Sequence, residues 1–244
     1  MAGLAKGLAI IESFGETREC LTVTDAAQVA GISRASARRC LLTLADLGYL
    51  IRNGSQFHPT PRMLRLGAAY YDSATLPQLA QIHLDRARDD LQESISLAIL
   101  EQGHAVFIAR SETKRIVSSA GNIGQRLPAY ASATGRILLA SLPDGDLNTY
   151  LEKTELVALT KSTIINIRDL TARIRQTSVS QVEVTDEELE EGLISMAVPV
   201  KGQDGETVAA MSMSASSARI TADQMKQKFY PTLMKYADAL SKTL

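Results

Sequence analysis

The chain has 244 residues, of which 45% are hydrophobic, and its formal net charge is −1 at pH 7. This composition is that of an ordinary globular protein with room for one large domain or two small ones. No uncharged stretch approaches the roughly 20 apolar residues of a membrane-spanning helix, and residues 1–14 lack the apolar segment of a signal peptide. The two cysteines, Cys20 and Cys40, have no metal-binding or redox spacing. We therefore expect a soluble cytoplasmic protein with reduced cysteines.

The N-terminal segment predicts two short helices. Leu4, Leu8 and Ile11 recur at helical spacing and indicate a first helix that stops by Gly15. A second helix follows in TDAAQVAG, where Thr24 is a suitable N-cap. The glycine that ends this segment favours the left-handed conformation in which helices commonly stop. This pair would pack against the segment that follows.

A third helix is predicted from Ser33, which is a second N-cap. Its apolar stripe consists of Ala37, Cys40, Leu41, Leu44 and Leu47. Two short helices joined by a tight turn that contains glycine form a helix-turn-helix. The opposite face carries small and basic side chains, which suit a helix that enters a DNA major groove. The alternative is an ordinary helical hairpin whose basic face is solvated.

The next residues favour the DNA-binding interpretation. YLIRNGSQF contains two β-prone runs around Asn53-Gly54, a strong hairpin signal, and a helix-turn-helix followed by a hairpin is a winged helix. Between Ser33 and Arg65 there are six arginines and one acidic residue, a charge of +5 in a chain of −1. The predicted DNA-binding residues are Ser33, Arg34, Ser36, Arg38, Arg39, Thr43 and Arg52.

The remaining chain divides into a connecting segment and a second domain. We expect the winged helix-turn-helix to span residues 1–62, a linker helix residues 63–76 and the second domain residues 77–244. In the second domain, apolar runs flank Gln102-Gly103 and a GQDG turn, and Arg115–Ser119 is a further predicted strand. Strands joined by hairpins, with helices between the pairs, indicate an α+β domain on an antiparallel sheet.

The second domain shows no sign of catalysis. The three histidines, His58, His83 and His104, lie in three different predicted elements, so we expect no metal site. No phosphate-binding glycine motif and no nucleophile-elbow motif occurs. The acidic run at 186–191 is interpreted as a solvated surface. The sequence therefore predicts no catalytic residue, no metal ligand and no cofactor.

Two stretches have the composition of pocket walls. In PAYASATG, small residues precede a helix, whose first N–H groups can accept a carboxylate. In AMSMS, Ser212 and Ser214 alternate with methionines, so both hydroxyls lie on one face of a strand. A tight helix–sheet contact with a polar outer face explains both stretches equally well.

The sequence resembles the IclR family of bacterial transcriptional regulators along essentially its whole length. The resemblance is carried by LAKGLAIIESF, RRCLLTLADLGYL, PTPRMLRLG, GQRLPAYASATGRILLA and EELEEGLISMAVPV. Two of these segments further resemble the branch that controls aromatic-acid degradation through the β-ketoadipate pathway. The resemblance implies a winged-helix head that binds double-stranded operator DNA, a GAF-like effector domain, and homodimers that often pair into tetramers.

The resemblance also implies an effector pocket. By position, its residues are Ala133, Thr134, Thr185, Ser195, Ser212 and Ser214. Thr185 stands where the family often has an acid, which favours an anionic ligand because a buried like charge is costly. We expect apolar walls from Leu127, Met196 and Met211, with the alternative that strand alternation points the two methionines away from the pocket. The expected ligand is a small carboxylic acid such as a hydroxybenzoate or β-ketoadipate.

The leading interpretation is a transcriptional regulator controlled by a small carboxylic acid. One alternative is a small-molecule enzyme fused to a DNA-binding head, although no nucleophile–base pair is present. A second alternative is a DNA-binding protein whose second domain only oligomerises.

Overall fold

The computed structural model describes residues 2–15, 18–113 and 121–244. They fall into two compact units that divide between Ser73 and Ala74. The first unit holds short helices and a two-stranded hairpin, and the second holds a six-stranded antiparallel sheet with helices. The predicted α+β fold class is confirmed.

The first unit is a three-helix cluster followed by a hairpin. Its elements are α1 (Ala2–Ile11), α2 (Val23–Val29), α3 (Arg34–Asp46), β1 (Leu50–Asn53) and β2 (Gln56–Pro59). A small core gathers one to three side chains from each element, among them Ile10, Ala26, Leu41, Leu50 and Phe57. The hairpin follows α3 directly, so this unit is a winged helix-turn-helix.

The start of α2 differs from the prediction. Thr22, not Thr24, is the N-cap, because its hydroxyl accepts a hydrogen bond from the Asp25 N–H at 3.3 Å. The Asp25 carboxylate accepts the Thr22 N–H in return at 2.9 Å, which completes a capping box. Thr24 lies exposed in the first turn. The reciprocal acid three residues after Thr22 selects this earlier start.

Three further details of this unit were predicted wrongly. Asn53 pairs with Gln56, so the hairpin turn is Gly54-Ser55 rather than Asn53-Gly54, and Gly54 has a φ of 60°. Leu47 ends α3 as its C-cap and is 52% exposed, so it lies outside the buried stripe. Leu4 is 75% exposed, because Ile10 occupies the core position of α1.

Beyond the hairpin, a short 3-10 turn at Pro61–Met63 leads into α4 (Leu64–Ser73). This helix has no buried side chain. Its apolar residues include Leu64, Leu66 and Tyr70, which are 75%, 43% and 47% exposed. A helix that exposes such apolar side chains usually buries them against another protein surface.

The second unit begins with α5 (Thr75–Leu91), two residues earlier than predicted. The elements that follow are β3 (Ile95–Glu101), β4 (His104–Ser111), β5 (Arg126–Pro128), α6 (Ala133–Leu139), α7 (Asp144–Lys153), α8 (Ile167–Ser180), β6 (Glu183–Asp186), β7 (Leu193–Lys201), β8 (Thr207–Ser216) and α9 (Ala222–Ser241). α9 begins with a capping box formed by Thr221 and Gln224, and the helix continues through Pro231. The strand predicted at Arg115–Ser119 lies outside the described residues.

The sheet has the order β5-β4-β3-β8-β7-β6 and carries helices on both faces. α5 and α9 bury one face with a core that includes Met196, Met211 and Met213. α6 packs on the opposite face, where Ile137 contacts small residues such as Ala197 and Ala210. α7 and α8 extend the packing around α6. We call this second face the α6 face.

A β-bulge changes which residues lie on the α6 face. The register of β3 and β4 shifts between Leu97 and Ala98, so Leu97 pairs with Ala109 whereas Ala98 pairs with Phe107. Phe107 consequently lies on the α6 face and Ala109 on the other. Arg110, which pairs with Ser96, returns to the α6 face. The strict alternation along β4 is broken at this point.

Candidate DNA-binding surface and effector site

The outer surface of α3 carries the predicted DNA-binding side chains. Ala37, Leu41 and Leu44 bury one side of the helix in the core, which turns the other side to solvent. The exposed side includes Arg34, Arg38, Arg39 and Thr43. All four side chains are therefore accessible on the second helix of the helix-turn-helix motif.

The two serines at the start of α3 have local roles. The Ser33 hydroxyl caps the helix, because it accepts the Ser36 N–H at 3.3 Å and lies 3.1 Å from the Ser36 hydroxyl. Arg39 reaches back to the Ser36 hydroxyl at 3.5 Å. Ser33 therefore stabilises the start of α3, and Ser36 contacts the side chain of Arg39.

Arg52 lies on the hairpin. Its Nε donates to the Gly54 carbonyl at 2.8 Å, and its guanidinium lies 5.9 Å from the centre of the Phe57 ring. These two contacts hold the Arg52 side chain across the hairpin turn, and Arg52 remains exposed to solvent. Together with Arg62 and Arg65, which are also exposed, it extends the positive charge beyond α3.

The predicted effector residues converge on the α6 face. Thr185 pairs with Ser195 across β6 and β7, and Ser195 pairs with Ser214 across β7 and β8. Ser212 lies two residues from Ser214 along β8, opposite Ala197. Directly paired residues point to the same side of a sheet, so four hydroxyls share this face.

The start of α6 packs over the same face. Ala133 belongs to the cluster formed with Ala98, Phe107 and Ala197, and both Ala133 and Thr134 are buried. The Ser132 hydroxyl already accepts the Gly135 N–H at 3.2 Å. Because α6 has only seven residues, its dipole is a weaker anion-binding feature than the sequence led us to expect.

The predicted apolar walls are partly wrong. Met196 and Met211 are fully buried, but they face α5 and α9 on the opposite side of the sheet. Strand alternation places them there, since Ser195 and Ser212 occupy the α6 face. Leu127 packs on the α6 side as predicted, and Phe107 supplies an aromatic ring there.

Sequence reasoning missed Arg110. Its side chain is 6% exposed, its Nη1 donates to the Ser96 hydroxyl at 2.9 Å, and its Nε donates to Glu112 at 3.0 Å. Ser96 pairs with Ser212 across β3 and β8. The Arg110 guanidinium, which is bonded to Ser96, therefore lies on the α6 face, near the strand that carries Ser212 and Ser214. Simple alternation from Phe107 places Ala109 on this face, and only the bulge brings Arg110 there.

A buried charge network closes the other side of α6. The guanidinium of Arg136 is fully buried, lies 3.0 Å from Glu183 and also pairs with Glu188. The Nε of Arg136 donates to the Tyr130 carbonyl at 2.8 Å. Glu183 also pairs with a second arginine, since the Nε of Arg173 lies 2.9 Å from its Oε1. Burial opposes the charge on Arg136, yet the hydrogen bonds that its guanidinium donates to Glu188 and Glu183, and the attraction of both carboxylates, keep its pKa above the ordinary value. The acidic run is therefore not wholly solvated, as Glu188 is 8% exposed.

The described residues contain neither a metal-binding cluster nor a helix that could span a membrane. Within residues 2–15, 18–113 and 121–244, no three His, Cys, Asp or Glu side chains are grouped as metal ligands. No helix in these ranges combines the length and apolar character needed to span a membrane.

Known proteins resemble both units. The family model for the IclR helix-turn-helix domain matches residues 3–54, and that for the C-terminal domain of bacterial IclR transcriptional regulators matches residues 68–242. The Pca regulon regulatory protein of Pseudomonas putida is 40% identical over 96% of this chain and 81% of its own length.

Crystal structures of other proteins also resemble this chain. A transcriptional regulator from Rhodococcus sp. RHA1 is 40% identical with a TM-score of 0.87, over 100% of this chain and 98% of its own. A double mutant of the PobR inducer-binding domain from Acinetobacter, in complex with 3-hydroxybenzoic acid, is 30% identical with a TM-score of 0.66. It covers 70% of this chain and 100% of its own. The chain therefore belongs to the IclR family of bacterial transcriptional regulators, and it is a regulator rather than an enzyme fused to a DNA-binding head.

Proposed function

We propose that this regulator binds operator DNA through its winged helix-turn-helix and that a small aromatic carboxylic acid controls this binding from the second unit. The observation that carries the effector assignment is the group of four hydroxyls, from Thr185, Ser195, Ser212 and Ser214, on the α6 face. Ala133 and Thr134 at the start of α6 complete the proposed site.

The chemistry of this face favours an anion. Hydroxyl and backbone N–H donors bind carboxylates through charge-assisted hydrogen bonds. The two buried carboxylates nearby, Glu183 and Glu188, are already neutralised by Arg136 and Arg173, so they repel an incoming acid little. Leu127 and Phe107 offer apolar surface for a flat ring. The complex of the PobR domain with 3-hydroxybenzoic acid supports an aromatic acid in particular.

The DNA-binding part of the proposal rests on α3 and the wing. We assign Arg38 and Arg39 to base edges and Arg34 and Arg52 to phosphates, since all four are exposed. Because one winged helix offers a small contact area, specific binding needs two heads on paired half-sites. We therefore propose at least a homodimer, acting in the cytoplasm, with DNA-binding, linker and effector segments at residues 1–62, 63–76 and 77–244.

A ligand screen tests this function. The melting temperature of the full chain is measured with benzoate, 3-hydroxybenzoate, 4-hydroxybenzoate, 3,4-dihydroxybenzoate, β-ketoadipate and aliphatic dicarboxylates, since a ligand that binds only the folded state raises it. Each acid that raises it is then added to a complex of the protein with DNA selected from a random pool. We expect one aromatic acid to raise the melting temperature and to change DNA affinity. If no acid does either, the result favours the alternative that the second unit only oligomerises.

A further inference from the structure

We infer that the second unit holds a further ligand site, a cavity beside α7 that takes an uncharged planar aromatic molecule. The cavity has a volume of about 770 Å³, which is in the range of small-molecule sites. Its walls come from the tip of the β3–β4 hairpin, from Pro128 and Tyr130, from α7 and from the loop that follows α7. We call it the α7 cavity. The proposed function makes no use of it.

The α7 cavity is separate from the proposed effector site. None of the predicted effector residues, all of which the structure describes, lines it. Along β3, Leu100 lines the cavity, whereas Ser96 pairs with Ser212 of the effector group. Leu100 and Ser96 are four residues apart on one strand, which is about 13 Å. A small ligand in the α7 cavity therefore has its own set of contacts.

Apolar and aromatic side chains form most of the walls. Tyr130 and Tyr150 contribute rings, and aliphatic surface comes from Leu100, Leu142 and Leu159. Ligand pockets are typically lined in this way, with few polar groups. A flat ring buries apolar area against such walls and stacks favourably on other rings. The lining therefore favours a planar aromatic molecule.

The Tyr130 ring is held in place by the protein itself. Its Oη donates to the Val157 carbonyl at 2.9 Å and accepts the Val157 N–H at 3.1 Å. Its backbone N–H donates to Tyr150 Oη at 3.1 Å, and its carbonyl accepts Arg136 Nε at 2.8 Å. Every polar group of Tyr130 is thus bonded. A wall that is already ordered loses little conformational entropy when a ligand binds.

The hairpin turn supports the second ring. Gly103 has a φ of 78°, and a Cβ there would lie 3.1 Å from Tyr150 Cε2. The backbone of the turn therefore packs directly against the Tyr150 ring, an approach that glycine permits. Burial raises the pKa of Tyr150 and outweighs its hydrogen bonds with Thr154 and the Tyr130 N–H, so the phenol is neutral at pH 7.

The charges around the α7 cavity disfavour an ionic ligand. The charged lining residues, Asp146, Lys153 and Glu155, are exposed and have both signs. The His104 ring bonds within the turn, where its Nδ1 lies 3.1 Å from the Gln102 carbonyl. The walls therefore offer an ion no buried counter-charge, and burying an uncompensated charge is costly. On the α6 face, by contrast, hydroxyl donors favour an anion.

The competing explanation is that a second copy of the chain covers the cavity. Val157 and Leu159 line it and are 50% and 43% exposed, and exposed apolar patches often mark contacts between proteins. In that case, a substitution at Val157 would change the association state, and no small molecule would bind. The concave shape and the fixed rings favour a small ligand instead.

The test is titration calorimetry on the full chain with 2-naphthol, which is uncharged at pH 7, and with 2-naphthoate, an anion of similar shape. Val157→Trp enlarges a lining side chain and keeps the backbone groups that bond Tyr130. It should weaken 2-naphthol binding by roughly tenfold or more and leave 2-naphthoate binding within about threefold. Val179→Trp, on the 85% exposed Val179 of α8, is the matched control and should bind both probes as the wild type does.

Thr149→Trp, on an exposed residue of the α7 wall, is a second variant and should have the same effect as Val157→Trp. Ser212→Ala should leave 2-naphthol binding unchanged, since the effector hydroxyls lie elsewhere. This pattern supports the inference and is independent of whether hydroxybenzoates bind the α6 face.

Four results would overturn the inference. The first is a wild type that does not bind 2-naphthol, with or without a change of association state in Val157→Trp. The second is unchanged 2-naphthol binding in both tryptophan variants of the cavity. The third is a loss of 2-naphthol binding in Ser212→Ala, which would place the molecule on the α6 face. The fourth is an equal loss of 2-naphthol and 2-naphthoate binding in Val157→Trp, because the site would then not select an uncharged ligand.

Discussion

The carboxylate of Glu183 and the guanidinium of Arg136 lie 3.0 Å apart with 1% and 0% of their side chains exposed. Glu188 and Arg173 complete this network, which ties α6 and α8 to β6 and to the loop after it. A buried ion pair contributes little compared with apolar packing, but removing one partner leaves an uncompensated charge in the interior. The network therefore fixes α6 over the proposed effector site.

The first prediction is that Arg136→Met destabilises the second unit strongly. Loss of the guanidinium leaves Glu183 and Glu188 buried without their main counterion, which should lower the free energy of unfolding by about 3–5 kcal/mol. Arg173→Met is the control: its side chain is 36% exposed and Glu183 keeps Arg136, so about 1 kcal/mol is expected. Urea denaturation measures both. An Arg136→Met loss no larger than the control would contradict this interpretation.

The second prediction concerns Gly135 in α6. A Cβ there would lie 2.2 Å from the Cα and 2.3 Å from the carbonyl oxygen of Ala129, which are backbone atoms that cannot turn aside. Gly135→Ala should therefore destabilise the protein by about 1–3 kcal/mol, through overpacking. Gly145 in α7 has nothing within 4 Å of such a Cβ.

The matched variant Gly145→Ala should accordingly stabilise α7 slightly, by about 0.5–1 kcal/mol, because alanine favours helices over glycine. Thermal unfolding of the two variants compares the same chemical change in closed and open surroundings. Equal shifts of the same sign would show that the contact with Ala129 does not restrict Gly135.

The third prediction separates base reading from phosphate contact. Arg39→Ala should cost about 1–3 kcal/mol on a selected operator and relax its sequence preference. Arg52→Ala should weaken binding to all sequences alike and lower the salt slope by about one unit. Arg168→Ala, an exposed arginine of the second unit, is the control and should leave DNA affinity unchanged. Equal, sequence-independent losses for Arg38→Ala and Arg39→Ala would show that neither reads bases.

The fourth prediction is that the protein is at least a dimer in solution. The exposed apolar residues of α4 and the accessible Leu4 of α1 are the surfaces expected to contribute. Leu66→Glu should shift sedimentation toward monomer, whereas Val179→Glu, on the 85% exposed Val179 of α8, should not. A wild type that sediments only as the 26.4 kDa monomer at micromolar concentration would refute the prediction.

Local sequence signals predicted most of the helices and hairpins. The Ser33 cap, the Thr221 capping box and the alternating runs of β7 and β8 each specify an element through neighbouring residues alone. The cap of α2 was misplaced at Thr24, since both threonines are acceptable caps and only the reciprocal Asp25 decides between them. β6 was missed because it is four residues long and half acidic.

The effector site was predictable only in part. The hydroxyls on β7 and β8 follow from strand alternation, which also predicts that Met196 and Met211 face away. Arg110 was not predictable, because a bulge between Leu97 and Ala98 reverses the alternation along β4. The buried partners of Arg136 were not predictable either, since 47 and 52 residues separate it from Glu183 and Glu188.

The most direct test of the account is titration calorimetry with Ser212→Ala and Ser214→Ala, using an aromatic acid that the wild type binds. Each substitution removes a hydroxyl from the α6 face and should weaken binding by roughly 1–3 kcal/mol, the loss of a hydrogen bond to a charged group. Ser178→Ala, whose exposed hydroxyl bonds only a helix carbonyl among the described contacts, is the control and should bind normally. Wild-type affinity in both strand variants would contradict the account and place the effector site elsewhere.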